Sequence, residues 1–461
     1  MSKRYPVVVK NGLVVYPEKT LRADIGISEG IIRSVDPGEK LQGEQEVEAA
    51  GCYVLPGLID PHTHPVYVDS IGDLSRLAAF GGVTTILHYT YAKPGQSLVE
   101  MLRRDREEGE GASCTDFGLH GGMFETRRQA DEIPEAFRLG VSSFKMFMAY
   151  AKLGWMTDDY ALAKALDIIG RLGGLAAVHA ESGLAIDYIQ DRLLAEKADF
   201  AERFLETSPD IGEAEGIFRA VSLGRLMGCP VYIPHVSSRE AVEVVRWLKR
   251  RGARMYAETC PHYLTLTWEE LKGRGPLGKV GPAIKTADDR QALWEGIREG
   301  LFDTIGSDHA PKAKKPTDDF FQAPYGAPGA ETMLPLFWQH GVNTGRITPN
   351  EVARLLAEDS ARIFGLFPCK GRLDPGADAD LVVFDPAERW TINLENEHSH
   401  APYTLYEGQQ ILGRVVRVLA RGETIVERRQ FRGRPGAGRF LATRAGWHRK
   451  ERMWNSRAAI S

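Results

Sequence analysis

The 461-residue chain has few cysteines, no long apolar run and almost no net charge. Its five cysteines, Cys52, Cys114, Cys229, Cys260 and Cys369, are scattered and odd in number, without a C-x-x-C pair. That pattern argues against a disulfide framework and a thiolate zinc site, and a reducing cytosol is the expected setting. No uninterrupted apolar stretch approaches bilayer-spanning length, so no membrane partner is expected. The opening MSKRYPVVVKNG has a basic flank and only a three-valine run, short of a signal-peptide core. We therefore expect a cytoplasmic protein. Lys plus Arg number 58 against 62 Asp plus Glu, a formal charge of −4. This balance gives no reason to expect nucleic acid as the main partner. Low-complexity segments and internal repeats are lacking as well. What remains is ordinary globular composition, 43% hydrophobic and 26% charged, in a chain about three times the usual domain size. A folded chain this long buries roughly 75% of its unfolded surface, enough for a core without staples.

What is present has two textures. The first fifty residues read as short strands with Asn-Gly and Glu-Gly turns, and similar grammar returns at GRLDPGADADLVVFD and VVRVLARGETIVERRQF. Between them, apolar strands alternate with helical stretches. Eight strand candidates stand out: YVLPGLID, VTTILHY, DFGLHGG, SSFKMFM, GLAAVH, PVYIPH, ARMYAET and FDTIGSD. Helical periodicity falls between them, as in LVEMLRRDREEGE, ALAKALDIIGRL, EAVEVVRWLKRR and RQALWEGIREG. Eight such units give an α/β fold, a (β/α)8 TIM barrel. The expected plan is a barrel over residues 55–366, a small β-sandwich domain from residues 1–54 and 367–435, and a tail over 436–461. That tail carries Arg439, Arg444, Arg449, Lys450, Arg452 and Arg457, read as a solvated or subunit-contacting arm.

Catalytic groups of such barrels sit at the C-terminal strand ends, and these strand ends hold unusual residues. The first runs into Asp60-Pro61-His62-Thr63-His64; residues two apart in an extended segment face one side, so His62 and His64 suit one ion together. Alone, an H-x-H pair more often marks solvated loop histidines than a metal site. The fifth strand ends at His179 and the sixth at His235, and four histidines at one barrel end are hard to read as four separate core residues. The eighth ends at Asp308, either a helix cap or a carboxylate that ligates a metal and moves a proton. Lys145 lies inside an apolar strand, where it either snorkels outward or is desolvated, neutral and nucleophilic. A neutral amine adds carbon dioxide to become a carbamate able to bridge two cations. Four histidines, a carbamate and an aspartate suit two ions ~3.5–4 Å apart, most naturally Zn²⁺.

The stretches PGLIDPHTH, SFKMFMAY, VHAES, PHVSS, ETCPHYL, GSDHAP, GRLDPGADADLVVFDP, YEGQQILGRV and GRPGAGRF span nearly the whole chain. In them the sequence resembles the cyclic amidohydrolases of the dihydropyrimidinase and D-hydantoinase family. The resemblance implies that His62 and His64 hold the more buried metal with Asp308, and His179 and His235 the more exposed one. Lys145 would be the bridge, as N6-carboxylysine. It also implies hydrolysis of a C–N bond in a hydantoin, dihydropyrimidine or similar cyclic imide or ureide by a hydroxide bridging the metals. Asp308 would carry the proton to the leaving nitrogen, and Tyr150, five residues after Lys145, would donate to the oxyanion. A homotetramer is the assembly it implies. His88, His120, His262 and His309 are read as hydrogen-bonding supports behind the ligands.

The loops depart from the family pattern. Pro65-Val66-Tyr67-Val68-Asp69 follows His64, Gly281-Pro282-Ala283-Ile284-Lys285 stands where the family has Ser-Pro-Pro-Leu-Arg, and Pro324-Tyr325-Gly326 where it has Pro-Asn-Gly. Gly281 and Tyr325 are therefore expected to hold substrate through backbone groups. Competing readings are an allantoinase, a dihydroorotase and a non-catalytic scaffold. Val66 stands where a dihydroorotase places its carboxylate-gripping arginine, and the complete ligand set argues against a scaffold.

Overall fold

The computed structural model describes residues 4–38 and 40–446. Five strands open the chain: β1 (Arg4–Val15), β2 (Thr20–Ser28), β3 (Ile31–Asp36), β4 (Gln42–Glu48) and β5 (Tyr53–Pro56). Eight parallel strands follow: β6 (Leu58–Thr63), β7 (Val83–Ala92), β8 (Asp116–Met123), β9 (Ser143–Phe147), β10 (Leu175–His179), β11 (Val231–Ile233), β12 (Met255–Thr259) and β13 (Thr304–Ile305). They pair in chain order. Across the seam, a parallel bridge joins Thr63 to His309, and Ser307 N donates to Asp60 Oδ1 at 3.1 Å. The chain returns to strand with β14 (Leu381–Thr391), β15 (Gln410–Ala420), β16 (Glu423–Glu427) and β17 (Gln430–Phe431).

The expected first barrel strand is two strands. Pro56 and Gly57 break YVLPGLID, and Gly57 N donates to Asp380 O at 2.8 Å. Upstream, β5 lies between β1 and β14, while β6 enters the barrel. Nine strands from both parts of the chain thus form one sheet, mostly antiparallel, with β4 and β5 parallel to β1. It wraps a core of its own that includes Val9, Ile25, Val54, Leu381 and Leu419. At the junction, buried Lys370 ion-pairs Asp116, Asp380 and Asp378 at 2.5, 2.7 and 2.9 Å, and Arg421 also binds Asp116.

The outer helices form for ordinary reasons. Helix Arg239–Arg250 is capped by the Ser238 hydroxyl, accepting from Ala241 N, and buries Ala241, Val242, Val245 and Leu248 on one face. Inside the barrel, Ile59, Tyr89, Ala177, Tyr232 and Tyr256 pack with Phe364 and Leu366. This filled floor leaves open space only at the C-terminal strand ends. The described part of the tail is not a free arm: Phe117 N donates to Arg439 O at 3.0 Å, Leu441 N to Phe117 O at 2.7 Å and Tyr256 Oη to Gly446 O at 3.2 Å. Arg449, Lys450, Arg452 and Arg457 lie outside the described residues.

Candidate active site

At the open end lies a cavity of about 500 Å³, lined by the nine residues expected to hold metal or substrate: His62, His64, Lys145, Tyr150, His179, His235, Gly281, Asp308 and Tyr325. Strand alternation sends His62 and His64 into it from β6. Their Nε2 atoms lie 3.2 and 2.9 Å from Asp308 Oδ1, and these three donors fall within 4.8 Å of one another. Facing them, His179 Nδ1 is 3.1 Å from His235 Nε2. The rings of His62 and His235, 5.4 Å apart, join the two groups. Tyr150, His235 and Asp308 have φ of 67, 45 and 48°. Left-handed backbone at non-glycine residues costs roughly 1–3 kcal/mol each and concentrates where geometry serves function.

Each histidine's other nitrogen decides what it offers the cavity. Glu258 Oε1 accepts from His62 Nδ1 at 2.6 Å, which in the neutral ring leaves His62 Nε2 as a lone pair. That atom is fully buried with no hydrogen-bond partner, and it faces a carboxylate oxygen. A lone pair does not face a carboxylate without a proton or a metal cation between them, and this set of imidazole nitrogens and a carboxylate oxygen fits a metal. Glu181 Oε2 accepts from His179 Nε2 at 2.7 Å and frees Nδ1 in the same way. The Tyr91 phenol lies 2.8 Å from His64 Nδ1. Glu258 is itself fixed by Tyr232 Oη at 2.6 Å and His235 N at 3.2 Å. Gly306 makes room for this: a Cβ there would meet Glu258 Oε2 at 2.5 Å and His62 Cβ at 2.9 Å.

Lys145 is buried within β9, its Nζ 5.2 and 5.3 Å from the ring centroids of Tyr89 and Phe147. Burial pushes its amine down to about 8, with Asp308 and Glu258 pulling the other way. Burial raises the Asp308 carboxyl, but His62 and His64 more than reverse that and hold it well below the carboxylate range.

Sequence reading missed Glu258, Glu181 and Tyr91, which orient three of the four histidines. Glu181 carried a signal, as a carboxylate two residues after His179. The four histidines expected in a supporting role do not touch the ligand rings through hydrogen bonds, and three of them bond beside the ligand-bearing segments. His88 Nδ1 meets Thr63 Oγ1 at 3.0 Å, His120 binds Ser143 and Pro61 O, and His309 Nε2 meets Asp69 at 3.0 Å. His262 Nε2 has no partner. A second carboxylate cluster, Asp116, Asp378 and Asp380, is neutralised by Lys370 and Arg421 rather than shaped for a metal.

At the mouth, a Cβ on Gly281 would stand 2.6 Å from Tyr150 Oη and 3.2 Å from Tyr325 Cδ1. The phenol therefore occupies space that any side chain at 281 would contest. Gly281→Ala is expected to move it and lower kcat by ~10²-fold, the cost of a misplacement near 1 Å. Steady-state kinetics with unchanged metal content checks this.

A family model described as the amidohydrolase family matches residues 53–425. The chain is 37% identical to the D-hydantoinase of Ralstonia pickettii over 454 residues, 95% of this chain and 99% of the relative. It is 35% identical to that of Geobacillus stearothermophilus, over 94% and 96%. The solved dihydropyrimidinase of Brevibacillus agri superposes with a TM-score of 0.90 at 32% identity, covering 95% of this chain and 98% of that one. The chain belongs to the amidohydrolase family. Within it, the chain falls in the group that holds the D-hydantoinases and dihydropyrimidinases.

Proposed function

We propose that this chain hydrolyses a C–N bond of a cyclic amide (a hydantoin, dihydropyrimidine or similar ureide ring). His62, His64 and Asp308 would hold one divalent ion, His179 and His235 a second, with Lys145 joining them as its carbamate. The observation that carries this is His62 Nε2, buried, without a hydrogen bond and 3.2 Å from Asp308 Oδ1. Such a pair, zinc by its imidazole and oxygen donors, supplies a water acidified to near neutral pH.

The chain's own groups do the rest. The Lys145 amine, once neutral, attacks carbon dioxide and loses a proton to give the carbamate. Asp308, kept ionised, accepts a proton from the attacking water and delivers it to the departing ring nitrogen. Burial holds the Tyr150 phenol well above its usual value, so it stays a donor toward the carbonyl oxygen as charge develops there. The backbone groups of Gly281 and Tyr325 make no hydrogen bond among the described residues, which suits them to hold the ring amide. Phe124, Phe147 and Trp155 line the adjoining wall and keep water from the reacting face.

We also place the protein in the cytoplasm as a homotetramer. Free thiols at all five cysteines suit that compartment. Exposed Leu184, Tyr188, Ile211, Phe218, Leu226 and Trp247 on neighbouring outer helices offer an apolar face for a second subunit. No helix among the described residues is long and apolar enough to cross a membrane.

Elemental analysis of metal-replete protein should find close to two divalent ions per chain. A turnover panel of dihydrouracil, hydantoins, allantoin, dihydroorotate and linear or bicyclic imides should show opening of the first two ring types. At most one ion, or no turnover of either ring type, overturns the proposal.

A further inference from the structure

Lys312 lies four residues beyond Asp308, on the loop that leaves β13, and lines the same cavity. The other cations there have partners or sit at its floor. Lys152 Nζ pairs with Asp191 at 2.5 Å and donates to Asp187 O at 3.1 Å. Lys279 Nζ donates to the carbonyls of Phe320, Phe321 and Ala323 at 2.9, 2.8 and 2.7 Å. Lys145 is enclosed within β9. The Lys312 ammonium has no hydrogen bond or ion pair among the described residues and lies over the Tyr67 ring, 4.2 Å from its centroid. Tyr67 follows His64 on the facing lip, so the two loops hold a cation between them at the mouth.

Among the cavity's carboxylates only Asp308 attracts that charge, and it does so without pairing with it. Asp308 lies on His62 and His64. Glu181 accepts from His179 and, at 3.0 Å, from Ser208. Asp187 lies beside Lys152. Burial pushes the Lys312 amine down to about 8 against the pull of Asp308, and the side chain is half-buried. A partly desolvated ammonium without an acceptor is costly, and a ligand that brings the acceptor recovers that cost. The wall formed by Phe124, Phe147, Trp155 and Phe204 is apolar and suits the rest of a substituent, not its charge. Val66, exposed beside Tyr67, leaves Lys312 as the cation available on this side of the mouth.

We propose that Lys312 is a specificity residue that receives a carboxylate on the exocyclic arm of the ring. The preferred substrate class is then the anionic cyclic amides, rings substituted with a short carboxyalkyl group. This rests on the cyclic-amide reading above.

The test uses the metal-replete full chain and a matched pair, 5-(2-carboxyethyl)hydantoin and its neutral amide, 5-(2-carbamoylethyl)hydantoin. The wild type should favour the acid over the amide by about tenfold or more in kcat/KM, as a charge-assisted hydrogen bond allows. Lys312→Met should bring that ratio to about one, and Lys312→Arg should restore part of it. A ratio near one in the wild type, or the same ratio in wild type and Lys312→Met, overturns the proposal. If neither ring is opened, the reaction reading fails, and calorimetry with the same pair still decides the anchor. Acid binding about tenfold tighter than amide in wild type but not in Lys312→Met supports it, and equal affinities overturn it.

Discussion

Lys145→Ala is expected to abolish turnover and to lower metal content at both positions together. The side chain comes from the middle of β9, 1% exposed, with aromatic rings on two sides. Burial favours the neutral amine, which is the form that adds carbon dioxide. The resulting carboxylate would reach between the His62–His64–Asp308 group and the His179–His235 pair, which no shorter residue does. Lys145→Met keeps length and apolar packing, so loss of metal in that variant cannot be laid to a cavity in the strand. Lys145→Arg should fail equally, because a guanidinium does not form a carbamate and repels cations. Turnover by elemental-assay-matched protein is the measurement. Activity within about tenfold of wild type in any of the three, a barrier change under ~1.4 kcal/mol, contradicts the bridge.

The second large effect is expected at Tyr150. Its ring centroid lies 4.9 Å from that of His179 and 6.0 Å from that of Tyr325, and its hydroxyl points toward Gly281. A donor aimed at an oxygen that becomes an oxyanion gains strength in the transition state. Removing one such donor typically costs ~10²–10³ in kcat, roughly 2.7–4 kcal/mol. Tyr150→Phe deletes only the hydroxyl and leaves the ring contacts, so the variant should fold and bind metal as the wild type does. On hydantoin or dihydrouracil its kcat should fall by about two orders of magnitude, with KM changing far less. A rise in KM alone would make Tyr150 a binding residue. No change in either constant would make it a rim aromatic.

The parts of this molecule legible in its sequence are those written in local order. The barrel strands announce themselves because buried parallel strands are continuous apolar runs, and His62, His64, Lys145 and Asp308 stand out as residue types those runs should not contain. The break at Pro56-Gly57 was not legible, since YVLPGLID has the texture of one strand whichever sheet its halves join. Glu258 escaped notice for a different reason. Its value lies in one contact with His62, made across 196 positions of chain, and no local spacing encodes such a meeting. Lys312 looks from sequence like one more charge in a charged loop. Its meaning comes from the acceptors that three-dimensional structure fails to bring to it.

The stitching of residues 439–446 to the barrel floor bears on how this protein is made. Strand β5 finds its antiparallel partner only in β14, and Phe117 receives its outer backbone partners only from Arg439 and Leu441. During synthesis the eight-stranded body emerges with its N-terminal sheet half-paired and its underside unsealed, since domains fold as chain becomes available. Long-range pairing of this kind also slows folding, because closure entropy falls due before the contacts reward it. The nascent protein therefore spends its ribosome-bound life with open sheet edges that invite other strands. Those edges should stay open to other chains until residues 439–446 have slid into place beneath β8.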